Sequence, residues 1–239
     1  MHRDGVTERL RRVEDRIAGA CARCGRDPTE IHLVAITKGH PASTLVAALE
    51  AGLRRIGENR VGEAVDKFSA AADSLERHGA VRHMVGHLQR NKARLAVRAF
   101  DWIQSVDSLR LAEELSRRVG DRPDRMPVLI EVNAGGEGQK HGISPDLVME
   151  QAGRIAELPG LLVRGLMTMA PFTSDEGVLR TTFRRARGLF ERMAELGSGA
   201  GLASDTLSMG MSGDFEVAIE EGSTMIRLGT VLFGSREEA

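Results

Sequence analysis

The chain of 239 residues predicts an α/β protein, a single (β/α)8 TIM barrel with one extra helix in front. Three observations carry that expectation. Short apolar runs alternate with stretches of helical periodicity, the runs number eight, and no Pro/Gly/Ser linker or shift in composition divides residues 1–239. One domain is therefore expected. An open doubly wound sheet is the runner-up, but it would want a glycine fingerprint after its first strand. The first run continues instead as TKGHP, and the glycine-rich NAGGEGQKHG at 133–142 carries His141 where a third glycine is needed.

The elements follow in order. Leu10, Val13, Ile17 and Ala20 recur at spacings of three and four, which predicts an amphipathic helix over the first 25 residues, stopped by Gly25 and Pro28. Apolar runs at 31–37, 53–57, 82–86, 102–106, 128–133, 161–167, 205–209 and 225–229 predict the strands. The intervals 41–51, 59–75, 90–99 and 108–119 are long enough for crossover helices. Ser144, Pro145 and Asp146 read as an N-cap, a first-turn proline and an acid at the positive end of a helix dipole. Leu179, Phe183, Ala186, Phe190 and Met193 step along one face of a later helix. Gly52 and Gly222 sit where C-terminal caps belong.

Bulk properties exclude several function classes. A net charge of −1 and 3% aromatic residues provide neither the basic face nor the stacking platforms of a nucleic-acid binder. No apolar run approaches a membrane span, and the charged N-terminus MHRDGVTERLRRVEDR lacks a signal-peptide core, so a cytoplasmic protein with no membrane partner is expected. Cys21 and Cys24 form a lone CARC stretch with no second pair to complete a metal site, and His83 and His87 in HMVGH lack the flanks of a metalloprotease helix. No metal is expected.

Chemistry in such a barrel sits at the C-terminal ends of the strands. There the sequence delivers Lys38, then Glu58 and Asn59, His83, Ser105, Asn133, Met167 and Thr168, the SMGMSGD stretch from Ser208 and Met209 to Asp214, and finally Arg227, Gly229 and Thr230. Ser212-Gly213-Asp214 reads as a helix opening, whose free N–H groups favour an anion. Gly229-Thr230 offers backbone N–H groups beside a hydroxyl, and phosphate sites in these barrels come from the loops after strands 7 and 8. Lys38 stands out because lysine is scarce. Only Lys38, Lys67, Lys92 and Lys140 occur, and arginine supplies the rest of the 33 basic residues. An amine at the end of a buried strand is partly desolvated, which lowers its pKa toward that of a neutral nucleophile able to form a Schiff base. A phosphate-bearing aldehyde facing that amine points to pyridoxal 5′-phosphate (PLP). A Schiff-base aldolase acting on sugar phosphates is the other chemistry that fits.

These residues also carry a family likeness. LVAITK at 33–38, IGENRVGEA at 56–64, HMVGHLQRNKAR at 83–94, IQSVDSLRLAEEL at 103–115, VLIEVN at 128–133, RGLMTMAP at 164–171 and TLSMGMSGDFEVAIEEGSTMIRLGTVLFG at 206–234 resemble the pyridoxal phosphate homeostasis proteins, the YggS/PROSC family. The resemblance implies a PLP fold-type III barrel of the alanine racemase N-terminal-domain type, with PLP held as a covalent aldimine on Lys38. It implies phosphate contacts from Ser212, Gly229 and Thr230, with Asn59 near the ring and Arg227 facing the pyridine nitrogen. His83, Ser208 and Met209 complete the expected cofactor-binding set, and Lys92 and Lys140 match family lysines of less certain role. Three positions depart from the pattern, Arg60 in GENR, Arg82 before His83, and His87 in GHLQ where the family reads GPLQ. They are expected to touch the rim.

The resemblance further implies a binder engaged in vitamin B6 homeostasis and not an enzyme. Racemases of this fold oppose the PLP lysine with a tyrosine from a second β-domain, which is not expected here, and this chain has no tyrosine. An arginine at the ring nitrogen also leaves the ring a poor electron sink. The competing expectation is a slow amino-acid racemase with His83 or water as second base. A monomer that hands PLP to dependent apoenzymes completes the reading.

Overall fold

The computed structural model describes residues 3–120, 124–136, 141–197 and 201–234. Its strands are β1 (His32–Ile36), β2 (Arg55–Glu58), β3 (Val81–Met84), β4 (Trp102–Val106), β5 (Met126–Glu131), β6 (Leu161–Met167), β7 (Leu202–Ser208) and β8 (Met225–Leu228). They pair in parallel, in chain order, and close into a barrel. The seam decides against the open sheet: β8 runs beside β1 in register from Met225 opposite His32 to Leu228 opposite Ala35. The helices are α1 (Arg3–Cys24), α2 (Ala42–Glu50), α3 (Val61–Ala70), α4 (Ala72–Arg77), α5 (Ala93–Ala99), α6 (Leu109–Val119), α7 (Val148–Ala156), α8 (Glu176–Glu195), α9 (Phe215–Glu220) and α10 (Thr230–Phe233).

All eight apolar runs are strands. Their edges move where polar residues interrupt the pattern. β7 starts three residues before the expected run because Ala203 and Asp205 face solvent and break the apolar signal. The expected helix over 59–75 is two helices, divided at Ala71. The helix start expected at Ser144 is corrected. Leu147 N donates to Ser144 O at 2.9 Å, so Pro145 occupies a turn position that its fixed φ suits, and α7 begins only at Val148.

α1 lays Leu10, Val13, Ile17 and Ala20 into the core as its spacing predicted and packs against α2, α9 and α10. Charges fasten it: Arg16 pairs with Glu216 and Arg23 with Glu220, while Arg26 Nη1, just past the helix, donates to the carbonyls of Ile219 and Ser223 at the end of α9. Cys21 packs into the same core, with Cys24 one turn on. Among the described residues no helix is long and apolar enough to cross a membrane.

The main core lies between the strands and the helix ring. Inside the barrel, Val34, Ile36, Val85 and Met225 form a second, small apolar cluster. Beside it the interior carries polar groups. Arg227 Nη1 donates to Ser208 Oγ at 2.7 Å, Ser208 Oγ donates to Gln104 Oε1 at 2.7 Å, and Gln104 Nε2 lies 3.0 Å from His83 Nδ1. A column of hydrogen bonds thus descends from the barrel mouth into its centre.

Candidate functional site

A cavity of about 280 Å³ opens at the C-terminal mouth, lined by Lys38, Asn59, Ser212, Arg227, Gly229 and Thr230 together with apolar groups such as Ile36, Val85 and Met169. Six of the nine expected cofactor-binding residues therefore meet in one place, delivered by the ends of β1, β2, β7 and β8. The other three do not line it. His83, Ser208 and Met209 are fully buried and lie outside the lining of this cavity. Ser208 and His83 belong to the interior column, and Met209 packs into the core.

Lys38 lies two residues beyond β1, in a turn closed by His40 N donating to Thr37 O at 3.1 Å. The backbone on both sides of it is pinned. Lys67 Nζ donates to Thr37 O at 2.7 Å, and Gly39 N donates to Glu63 Oε1 at 2.6 Å. Lys67 Nζ also reaches Glu58 Oε1 at 2.6 Å and Glu63 Oε1 at 3.0 Å, and Thr37 Oγ1 donates to the same Glu58 oxygen at 2.6 Å. Glu58 was expected at the mouth as a site residue, but it is wholly buried and serves this brace. Burial pushes its carboxyl above the ordinary value, and the hydrogen bonds from Lys67 and Thr37 oppose that push.

Asn59 reaches the cavity because β3 exits through Gly86. A Cβ there would stand 2.4 Å from Asn59 O, so only glycine lets the two backbones approach. Asn59 Oδ1 is buried with no hydrogen-bond partner among the described residues. Such an atom is costly unless something else satisfies it.

On the opposite side, Gly229 N donates to Ser212 Oγ at 3.4 Å, which brings together the two features expected to favour an anion. The helix expected to open at Ser212-Gly213-Asp214 begins only at Phe215, so Ser212 is not its N-cap. Asp214 is the N-cap residue, but its Oδ1 accepts from Met211 N in the preceding turn at 2.5 Å and not from the helix, and α9 is too short for a large dipole. What remains for an anion is a hydroxyl and backbone N–H groups from two adjacent loops.

Arg227 forms the floor. Its Nη2 donates to Thr168 O at 2.8 Å and Nη1 to Ser208, which leaves three of its five N–H groups for other acceptors. Burial lowers its pKa to about 10, with Asp214 and Glu131 opposing, so it stays cationic at neutral pH. His83 is pushed down to about 3, first by burial and then by the positive charge of Arg55. It stays neutral at physiological pH.

Three contributors escaped the sequence reading. Lys67 registered only as one of four lysines. Gln104 sits inside a strand pattern with nothing to mark its direction. Glu131, the one charge in VLIEVN, was the legible signal passed over. It is 3% exposed, and burial raises its carboxyl to about 7, with Asp107 adding to the effect and Arg227 opposing it. Of the expected rim departures, Arg60 is exposed, and so is the family lysine Lys92, while Lys140 lies outside the described residues. Arg82 is corrected. It sits near the start of β3, clasping Asp101 through both Nε and Nη2, at the end of the strand away from the mouth.

A family model described as the alanine racemase N-terminal domain matches residues 9–237. The chain is 42% identical over 235 residues to the pyridoxal phosphate homeostasis protein of Escherichia coli strain K12, covering 97% of each. Among solved structures, PipY of Synechococcus elongatus PCC7942 with PLP bound superposes at a TM-score of 0.81 with 34% identity, covering 96% of this chain and 100% of that one. An alanine racemase of Clostridium difficile 630 matches at a TM-score of 0.75 and 13% identity, over 99% of this chain and 58% of that one, a likeness of fold alone.

Proposed function

The chain belongs to the alanine racemase N-terminal domain family, among the pyridoxal phosphate homeostasis proteins, and from that premise we propose that it binds PLP in the mouth cavity. In this reading PLP is held covalently through Lys38, and the protein serves PLP homeostasis in the cytoplasm as a monomer, without turning over an amino acid. When bound, PLP supplies an aldehyde for an amine to capture and a phosphate that calls for donors. The observation that carries the reading is the meeting of Lys38, Asn59 and Arg227 with the Ser212, Gly229 and Thr230 cradle around one cavity.

The residues present fit that molecule. The partnerless Asn59 oxygen and the spare Arg227 donors need a polar ligand. Ser212 and the backbone of Gly229 and Thr230 suit the phosphate, and Val85 and Ile36 offer apolar walls to a ring. Arg227 keeps its proton at neutral pH, so a ring nitrogen beside it gains no proton from it. The expected second base of a racemase also loses support, because His83 is neutral, fully buried and outside the cavity lining.

The test is an absorbance spectrum of the protein with PLP before and after borohydride reduction, with peptide mapping of the modified residue. The expected label falls on Lys38, and Lys38→Ala loses it while keeping some non-covalent PLP. A covalent adduct that persists in Lys38→Ala overturns the attachment. Titration with amino acids should leave the visible band nearly unchanged and exchange no α-proton. Rapid exchange would restore the racemase reading.

A further inference from the structure

Outside the cavity, the loops after β3, β4 and β5 bring three side chains together on the rim. His87, Asp107 and His141 each offer one ligand atom, and these atoms all lie within 4.8 Å of one another. His87 Nδ1 stands 3.1 Å from Asp107 Oδ2. The rings of His87 and His141 lie face to face, their centroids 3.8 Å apart and their planes 14° from parallel.

We propose that His87, Asp107 and His141 form a binding site for a divalent transition metal of the zinc, cobalt and nickel class. Two imidazoles and a carboxylate are a borderline donor set that suits these ions, whereas calcium and magnesium prefer oxygen alone. The carboxylate is already oriented: Asp107 Oδ1 accepts from Ser108 Oγ at 3.0 Å, which directs Oδ2 toward His87. Support of this kind from a neighbouring group fixes a ligand's direction before the metal arrives. Exposure is graded in the same sense, with the Asp107 side chain 15% exposed and that of His87 40%. The carboxylate is seated in the rim and the imidazoles are open to an entering ion.

Metal–nitrogen bonds of about 2.0–2.1 Å place tetrahedral ligand atoms roughly 3.4 Å apart. The stacked rings aim their in-plane lone pairs side by side, so binding requires the exposed imidazoles to unstack and turn toward a common ion, which their side-chain torsions allow. Three protein ligands leave at least one coordination position for water or another small ligand, as in open sites and unlike sealed structural ones. An ion here would tie the loop after β5 to those after β3 and β4, on the side of the mouth away from Ser212 and Gly229. The proposal is independent of whether Lys38 holds PLP.

The experiment titrates tag-free, chelator-treated full-length protein, without added PLP, with Co²⁺ and follows the visible d–d bands, then adds Zn²⁺ in competition. The expected result is a saturable band at one ion per chain that Zn²⁺ bleaches. His87→Gln, which can still donate to Asp107 but is a poor ligand, and His141→Ala should each weaken binding by about tenfold or more. The Cys21→Ser, Cys24→Ser double variant should keep the band. The absence of a saturable band overturns the proposal. So does a band that survives both histidine substitutions, or one that disappears with the cysteines.

Discussion

The two walls of the cavity are built on different physics. The Lys38 wall is braced by charge: Lys67, Glu58 and Glu63 form a cluster behind the turn, with the Lys67 side chain 5% and Glu58 0% exposed. The opposite wall is a hydroxyl and glycine backbone, Ser212 with Gly229, set above a floor where the Arg227 cation rests on neutral hydrogen bonds from Ser208 through Gln104 to His83. Buried ions are stable only as a set, because losing one leaves another unpaired in a poor solvent. Neutral hydrogen bonds fail one at a time and at modest cost. A wall of the first kind holds the Lys38 turn rigidly and is brittle, whereas a wall of the second kind tolerates truncation.

The largest effect should therefore come from Lys67→Met. It strands the Glu58 carboxylate and should cost about 3–5 kcal/mol in urea unfolding. Adding Glu58→Leu should recover much of that loss, because the pair is then replaced by apolar groups. A loss below about 1 kcal/mol for the single variant would break the comparison, since surface ion pairs lie in that range.

Acid should attack the neutral wall from beneath. The folded His83 has a pKa of about 3 against an ordinary value of 6.5. Below pH 6.5 the unfolded chain takes up a proton that the folded chain refuses, so this contribution is fully present above 6.5 and is lost as pH falls toward 3. By pH 5 the loss is about 2 kcal/mol. In denaturant melts across that window, His83→Gln should show a shallower acid slope than the parent. Parallel curves would mean that His83 is not held neutral by its surroundings.

The smallest effect should follow Ser212→Ala. Removing one neutral hydroxyl from a cradle that keeps its backbone donors costs about 1 kcal/mol, or roughly fivefold in PLP affinity by titration, with the fold intact. A loss of a hundredfold or more would show that the hydroxyl wall behaves like the charged one.

How much was legible follows from what each residue needs in order to be read. Lys38 was visible because it interrupts the end of an apolar run, and Ser212, Gly229 and Thr230 because hydroxyls and glycines cluster after the last two strands. Ser144 misled because the same residues that start a helix also make a turn, and only the hydrogen bond to Leu147 distinguishes the two. Gln104 and Ser105 are neighbours in one strand and point to opposite faces. Nothing local says which of them belongs to the interior column.

The sequence by itself determined the alternation of strands and helices, the lysine at the first strand's exit and the anion-friendly turns at the last two, because periodicity and local chemistry are properties of neighbouring residues. Only the tertiary structure decided that Lys67 and Glu58 brace Lys38, that Arg227 rests on Ser208 and Gln104, and that His87, Asp107 and His141 meet. Those partners are far apart in the chain. Which face each strand residue presents, and which loops become adjacent, is set when β8 pairs with β1 and the sheet closes.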